Sequence, residues 1–266
     1  MQLSNYINFK ALKNAFKTYK DVEPFDHCIC DNFFTKKFAR SLYKEFPTYK
    51  TKEFWHEYNN PIEIKKTCNN WNKFKKNTYL AFTLLCSHEF IKILSELSQI
   101  KKLEPDHGLN GGGLHIHKSG GKLNHHLDYD IHPKIDKQRK LNALIYLTPN
   151  WKNKFGGDLG FFSHNKKDNQ PGELIKKITP IFNRAVFFDT TQNSWHGLIN
   201  KVKVTNGITR NSLAIYYLKS PSKNISKRTK ALFAPTKNQK NNIRIIKLIK
   251  KRSDINKFNT QYKINN

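Results

Sequence analysis

The segment NHHLDYDIHP, Asn124 to Pro133, sets three histidines and two aspartates within ten residues. Imidazole and carboxylate at this density suit a metal site, or else a polar loop rich in titratable groups. On a strand, residues two apart share a face, so His126 and Asp128 project together while His125 points away. Asp130 and His132 continue the alternation and compete as ligands. A third donor must come from elsewhere in the chain. NSWHGL supplies His196, 196 − 126 = 70 residues further on. Two histidines and one carboxylate on one octahedral face leave three positions open, an arrangement that suits non-haem Fe(II) oxygen chemistry. By itself HxD is a weak signal in a chain with 11 histidines.

Such a site needs strands that bring residues 126 and 196 side by side. From about residue 111 short β-rich runs follow one another at 111–118, 123–128, 140–147, 157–162, 174–178, 184–189, 195–199 and 208–218. Turn-forming pieces such as KSGG, FGG and NQPG separate most of them. Runs this close together without intervening helices predict an antiparallel double sheet of jelly-roll type. Residues 1–105 read as a mixed, mainly helical region packed against that core. TKKFARSLYKEF carries apolar positions 38, 39, 42 and 46, with Thr35 as N-cap. In SHEFIKILSELSQI, Phe90, Ile91, Leu94 and Leu97 make one face and Ser87 is the cap. Between these helices, FWHEYNNPIEIKKTCNNWNKF is aromatic and reads as irregular. The core is placed at 106–219, and 220–266 is a basic tail. That tail holds one short amphipathic helix, NNIRIIKLIKKRSDI, and is otherwise loosely structured.

Composition narrows the class. Of the 266 residues, 37% are hydrophobic and 13% aromatic, and no apolar run approaches the roughly 18 residues of a membrane span. The N-terminus lacks the apolar stretch of a secretory signal, so the expectation is a soluble, cytoplasmic protein. Cys28, Cys30, Cys68 and Cys86 form neither a CxxC pair nor a disulfide framework, which suits a reducing compartment. The formal net charge of +28 would attract nucleic acid, an anionic membrane or an acidic partner. Lysine, however, is spread along the chain and abundant together with Asn and Ile, the bias an AT-rich genome produces. Nucleic acid is therefore not the favoured partner.

In order, GGKLNHHLDYDIHP, RKLNALIYLTPNWKNKFGGDLGFF, ITPIFNRAVFFDTTQNSWHGL and TRNSLAIYYL resemble the 2-oxoglutarate- and Fe(II)-dependent dioxygenases, in particular their prolyl 4-hydroxylase-like branch. The likeness runs from about Gly111 to Leu218. A looser echo, PFDHCICDNFFTKKFARSLYKEFP, matches the strand-then-helix entry of many members. The resemblance implies a double-stranded β-helix whose metal ligands are His126, Asp128 and His196. It places Arg210 on the far carboxylate of 2-oxoglutarate, 14 residues past His196, a longer spacing than many members show. Lys201 and Lys203 stand as alternative anchors. A planar guanidinium suits the task on its own chemistry, since it grips a carboxylate bidentately. Ser212 shares the face of Arg210 and offers a hydroxyl.

Tyr146 matches a cosubstrate-binding strand position, although a core aromatic fits equally well. His117, with His115, lies near a polar cosubstrate contact of the relatives, but a structural role is favoured for both. Arg139 and Asn142 are read as structural, Arg184 as standing at the edge of the buried strand FNRAVFFD, and Trp195 as a core residue with a pocket wall as the alternative. In KFGGDLGFF the glycines allow a tight turn and close strand approach. The chemistry implied is Fe(II)- and 2-oxoglutarate-dependent hydroxylation of an unactivated C–H, with O2 as cosubstrate and ascorbate as an optional reductant. Asp128 argues against halogenating variants, where a small residue replaces the carboxylate. A prolyl residue of a protein or peptide is the first substrate, with free amino acids, sugars and small metabolites open. The alternatives are a nucleic-acid-directed oxygenase and a non-catalytic jelly-roll binding module. The tail, which carries no implied ligand, is expected to be dispensable for the iron chemistry.

Overall fold

The computed structural model describes residues 2–205, 207–223 and 225–254. After helix α1 (Phe9–Phe16) comes strand β1 (His27–Cys30), then α2 (Lys36–Glu45), a hairpin of β2 (His56–Asn60) and β3 (Glu63–Cys68), α3 (Lys76–Leu85) and α4 (His88–Ser98). The strand-rich part follows: β4 (Glu104–Pro105), β5 (Gly113–His117), β6 (Lys122–Leu123), β7 (His126–Leu127), β8 (Gln138–Tyr146), β9 (Leu159–Asn165) and β10 (Gln170–Ile178). β11 (Ala185–Asp189), β12 (Trp195–Leu198) and β13 (Arg210–Lys219) complete it, before β14 (Leu232–Phe233) and α5 (Ile243–Ser253).

Among the described residues the strands form two sheets. The major sheet runs β1-β11-β8-β13-β5-β3-β2, with β4 beside β13 and β6 beside β3; the minor sheet runs β10-β9-β12-β7-β14. All of these pairings are antiparallel. This is the expected double-stranded β-helix, mainly β with flanking helices.

Period-two alternation sorts the major sheet into two faces. Leu114, Ile116, Leu141, Ala143, Ile145, Leu213, Ile215 and Tyr217 pack outward on a core shared with α1 to α4, including Phe16, Leu42, Phe82, Phe90 and Leu94. The intervening residues, His115, His117, Asn142, Leu144, Tyr146, Ser212, Ala214 and Tyr216, line a cavity between the sheets. β13 is buried on both sides as a result, with residues 210–218 all buried. Ser87 caps α4 by accepting from the Phe90 N–H at 3.3 Å. Thr35 stands at the start of α2 without a side-chain cap, its hydroxyl donating instead to Asn5 O at 3.2 Å.

Three local expectations change. The run 123–128 is two short strands, because the chain leaves the major sheet after Leu123 and joins the minor sheet at His126. The aromatic stretch read as irregular contains the β2–β3 hairpin, which extends the major sheet beside β5. The tail is not loose over its described part. Leu232 and Phe233 pair with Leu127 and His126, and Asn124 donates to Gln239 Oε1 at 2.6 Å and to Ala234 O at 3.0 Å. The last part of the tail, 255–266, lies outside the described residues.

Candidate active site

β7 and β12 are neighbours in the minor sheet, and their register sets His126 directly opposite His196. Gly197 permits this approach, since a Cβ there would stand 2.8 Å from Asn124 O and 2.9 Å from the His125 backbone. Asp128 lies one residue past the end of β7. One ligand atom from each of His126, Asp128 and His196 lies within 4.8 Å of the others, and all three residues are buried. His126 Nε2 is 3.7 Å from one Asp128 oxygen and His196 Nε2 is 3.8 Å from the other.

The two imidazoles are oriented for coordination. His126 Nδ1 lies 3.0 Å from Asn124 O, and His196 Nδ1 lies 2.8 Å from Ser194 O. A carbonyl accepts only from N–H, so each Nδ1 carries the hydrogen and each Nε2 keeps its lone pair. The Phe233 ring stacks on His126 at 5.1 Å, and Phe188 meets His196 edge-on at 4.8 Å. The donor set, two neutral imidazoles and a carboxylate, fits a divalent first-row metal with open positions.

Burial pushes the Asp128 carboxyl pKa up, but His196, His126, Arg139 and the Tyr216 hydroxyl outweigh that effect and leave it lowered. Tyr216 donates to Asp128 Oδ2 at 3.0 Å. Neither Tyr216 nor the setting of Arg139 was read from the sequence. Tyr216 is six residues past Arg210 on the same face, so alternation alone could have marked it. A register shift between β8 and β13 breaks the alternation next to Arg139 and puts it opposite Leu218, on the cavity side. There the guanidinium lies 3.3 Å from the Tyr129 ring centre and 3.5 Å from that of Tyr216. We expect Tyr216→Phe to weaken divalent-metal binding by about 10- to 100-fold, the usual cost of losing a group that orients a ligand. Manganese(II) titration followed by paramagnetic resonance measures this, and unchanged affinity would show that Asp128 is held without it.

Asp130 and His132, the competing ligands, are engaged elsewhere. Arg228 donates to Asp130 at 2.9 Å, and His132 Nε2 faces Asp106 at 3.5 Å. Arg210, Ser212, Tyr146 and His117 all line the cavity that holds the triad, which measures about 430 Å³. Arg210 is buried, donates from Nε to Gly157 O at 2.8 Å, and lies 4.8 Å from the Tyr146 ring centre. Gly157 has φ +67°, and a Cβ there would meet Arg210 Cδ at 3.1 Å, so this glycine makes room for the arginine. Among the described residues no carboxylate pairs with Arg210, and burial lowers its pKa against the opposing influence of Tyr146. Nearby, the Tyr146 hydroxyl, both His117 nitrogens and Asn142 Oδ1 are buried without hydrogen-bond partners. An unpaired buried cation beside orphaned polar groups fits a dianionic ligand such as 2-oxoglutarate. Lys201 and Lys203 are exposed and do not line the cavity.

A family model described as the 2OG-Fe(II) oxygenase superfamily matches residues 112–218. The chain is 27% identical over 177 residues to the prolyl 3-hydroxylase OGFOD1 of Mus musculus, covering 66% of this chain and 30% of the mouse protein. It thus spans less than a third of that curated relative. Its fold is similar to a Pseudomonas putida prolyl-4-hydroxylase (TM-score 0.54, 15% identity, 78% of this chain and 100% of the other). It is also similar to a Trichoplax adhaerens prolyl hydroxylase solved with a peptide fragment of hypoxia inducible factor (TM-score 0.51, 18% identity, 77% and 88%).

Histidines in and beside the cavity also set the acid sensitivity of the chain. Burial, reinforced by nearby positive charge, lowers His115 and His126 to about 3 and His125 to about 4. The unfolded chain takes up these protons near pH 6.5, whereas the native state refuses them. Stability is therefore full above pH 6.5 and falls with pH toward 3, by about 1.4 kcal/mol per pH unit for each such ring. Calorimetry of the metal-free protein should show Tm dropping steadily below pH 6.5. A flat Tm down to pH 4.5 would contradict these ring environments.

Proposed function

We propose that this chain is an Fe(II)- and 2-oxoglutarate-dependent hydroxylase, with a prolyl residue of a peptide or protein as its first substrate. The observation that carries this reading is the pairing, in one cavity, of the His126–Asp128–His196 cluster with the buried, unpaired Arg210. The mouse relative's name, a prolyl 3-hydroxylase, supports proline as the target.

His126, Asp128 and His196 would hold the iron, and their backbone and Tyr216 contacts orient them for it. Arg210 takes the distal carboxylate of 2-oxoglutarate, with Ser212, Tyr146 and His117 around it. Iron bound there would supply the chemistry that splits 2-oxoglutarate and O2 into succinate, carbon dioxide and one oxygen atom for a substrate C–H. Leu144, Leu159 and Leu198 give the cavity dry apolar walls, which limits side reactions with water. Ascorbate would serve as the reductant that restores Fe(II).

We assign 1–105 as the supporting region, 106–219 as the oxygenase core and 220–266 as a basic tail whose described part walls the cavity. Among the described residues no helix is long and apolar enough to cross a membrane, and Cys28, Cys30, Cys68 and Cys86 are free thiols. Free thiols support a reducing, cytoplasmic setting. The test is anaerobic titration with Fe(II) and 2-oxoglutarate, followed by visible absorption. A weak metal-to-ligand band that requires both additions is expected; its absence would remove the proposal.

A further inference from the structure

Beside the residues assigned to iron and 2-oxoglutarate, the β2–β3 hairpin contributes a second polar wall to the same cavity. Glu63, Lys65 and Thr67 alternate onto its inner face, with His56 and Tyr58 on the neighbouring strand. Thr67 stands opposite His115 on β5, so the same register continued by two residues sets Lys65 opposite His117. His117 is in turn opposite Arg210. Lys65, His117 and Arg210 thus form one row across three strands. The two cations are separated by two strand spacings, about 10 Å.

The charges in the cavity do not cancel. Glu63 is gripped by Arg252 at 2.6 Å and touches Lys65 only at 3.5 Å. Lys230 is engaged at Asp254 O. Arg139 lies beside Asp128 and offsets its charge. Fe(II) with dianionic 2-oxoglutarate adds nothing net. Arg210 has the cosubstrate carboxylate as its partner, and Lys65, which shares the Glu63 carboxylate with Arg252 and lies 5.1 Å from the Tyr58 ring centre, is a cation in excess inside the chamber with a side chain 14% exposed. Its positive charge reaches His115, His117 and the proposed ligand His126.

We propose that Lys65 is an anion subsite that selects a substrate carrying a carboxylate close to the hydroxylated carbon. This rests on the oxygenase reading and adds the charge of the substrate to it. An ammonium in a partly dry chamber gains most from a partner of opposite sign, and a cationic substrate would be repelled. The carboxylate can come from an acidic side chain or from a chain end.

The test uses the 266-residue chain loaded with 2-oxoglutarate and with Ni(II) as an inert stand-in for iron, to select from two proline-centred peptide libraries. One library is N-acetylated and C-amidated; the other has free C-terminal carboxylates. Wild type should enrich Asp or Glu at a fixed position near the proline, or proline close to a free C-terminus, by about 10-fold or more, the effect of one charge-assisted hydrogen bond. Lys65→Glu should invert this toward Lys and Arg, and Lys65→Gln should abolish it. Thermal melts identify any variant that fails to fold, and the milder Lys65→Gln then decides. Acidic enrichment that is absent in wild type, or that survives Lys65→Gln, overturns the subsite. So does a Lys65→Gln variant whose 2-oxoglutarate affinity falls while its peptide preference stays. The visible band of wild type with Fe(II) and 2-oxoglutarate is measured in parallel. The band present without acidic enrichment sinks the subsite alone; no band sinks both readings.

Discussion

Alanine at His126, Asp128 or His196 will cut Fe(II) binding by more than about 100-fold and abolish 2-oxoglutarate turnover. Groups that only orient metal ligands already cost about 10- to 100-fold when removed, so loss of a ligand must exceed that. The three act as one unit, because each Asp128 oxygen faces a different histidine at 3.7 and 3.8 Å. Removing any one leaves two donors that cannot define the face of an octahedron. Circular dichroism should still report a β-rich fold, since the backbone pairing of β7 with β12 does not depend on these side chains. His132→Ala is the control, its ring being committed to Asp106. Full turnover in His196→Ala, or loss of iron in His132→Ala, would show that the ligand set has been misplaced.

At Arg210, replacement by Lys will keep the charge but lose the planar fork, and 2-oxoglutarate affinity should fall by about 10- to 100-fold. That range corresponds to one charge-assisted hydrogen bond of about 1.5–3 kcal/mol. Arg210→Ala should be worse, because the cosubstrate carboxylate would enter a buried site without a counter-charge. Iron affinity measured without cosubstrate should barely move, since Arg210 contacts Gly157 O and the Tyr146 ring and none of the three ligands. Lys201→Ala and Lys203→Ala, on exposed residues, should leave both affinities intact. Isothermal titration with Mn(II) in place of iron separates the two quantities. If a lysine variant loses 2-oxoglutarate while Arg210→Ala retains it, the anchor is the lysine.

The sequence disclosed those parts of the molecule whose two faces differ in chemistry. Along β13, RNSLAIYYL alternates between Leu213, Ile215 and Tyr217 on the helix side and Ser212, Ala214 and Tyr216 on the cavity side. The same contrast made β5 and β8 visible and placed Arg210, Tyr146 and His117 on one surface, whereas β11 showed itself as a short run apolar on both faces. The β2–β3 hairpin was missed because its inner face meets a polar chamber. Glu63, Lys65 and Thr67 point inward where apolar residues would ordinarily betray a strand. β14 was missed for another reason: two residues, Leu232 and Phe233, give no periodicity at all. With it went the Phe233 ring on His126, which removes the ground for treating the whole tail as dispensable to the metal site. The register shift beside Arg139 was equally hidden, since a bulge leaves no mark in composition.

The strand carrying His126 is bordered on one side by β12 and on the other by β14, and β14 comes more than a hundred residues later in the chain. At the opposite end, β1 finds its partner only in β11, with paired residues from 185 − 30 = 155 to 188 − 27 = 161 positions apart. Contacts of such long sequence separation form slowly, because loop closure precedes any gain from packing. On a ribosome, His126 would wait for its cover until Phe233 has emerged from the exit tunnel. The iron chamber is therefore among the last parts of this molecule to mature, and a nascent chain would not carry a finished oxidising centre while much of it was still unfolded.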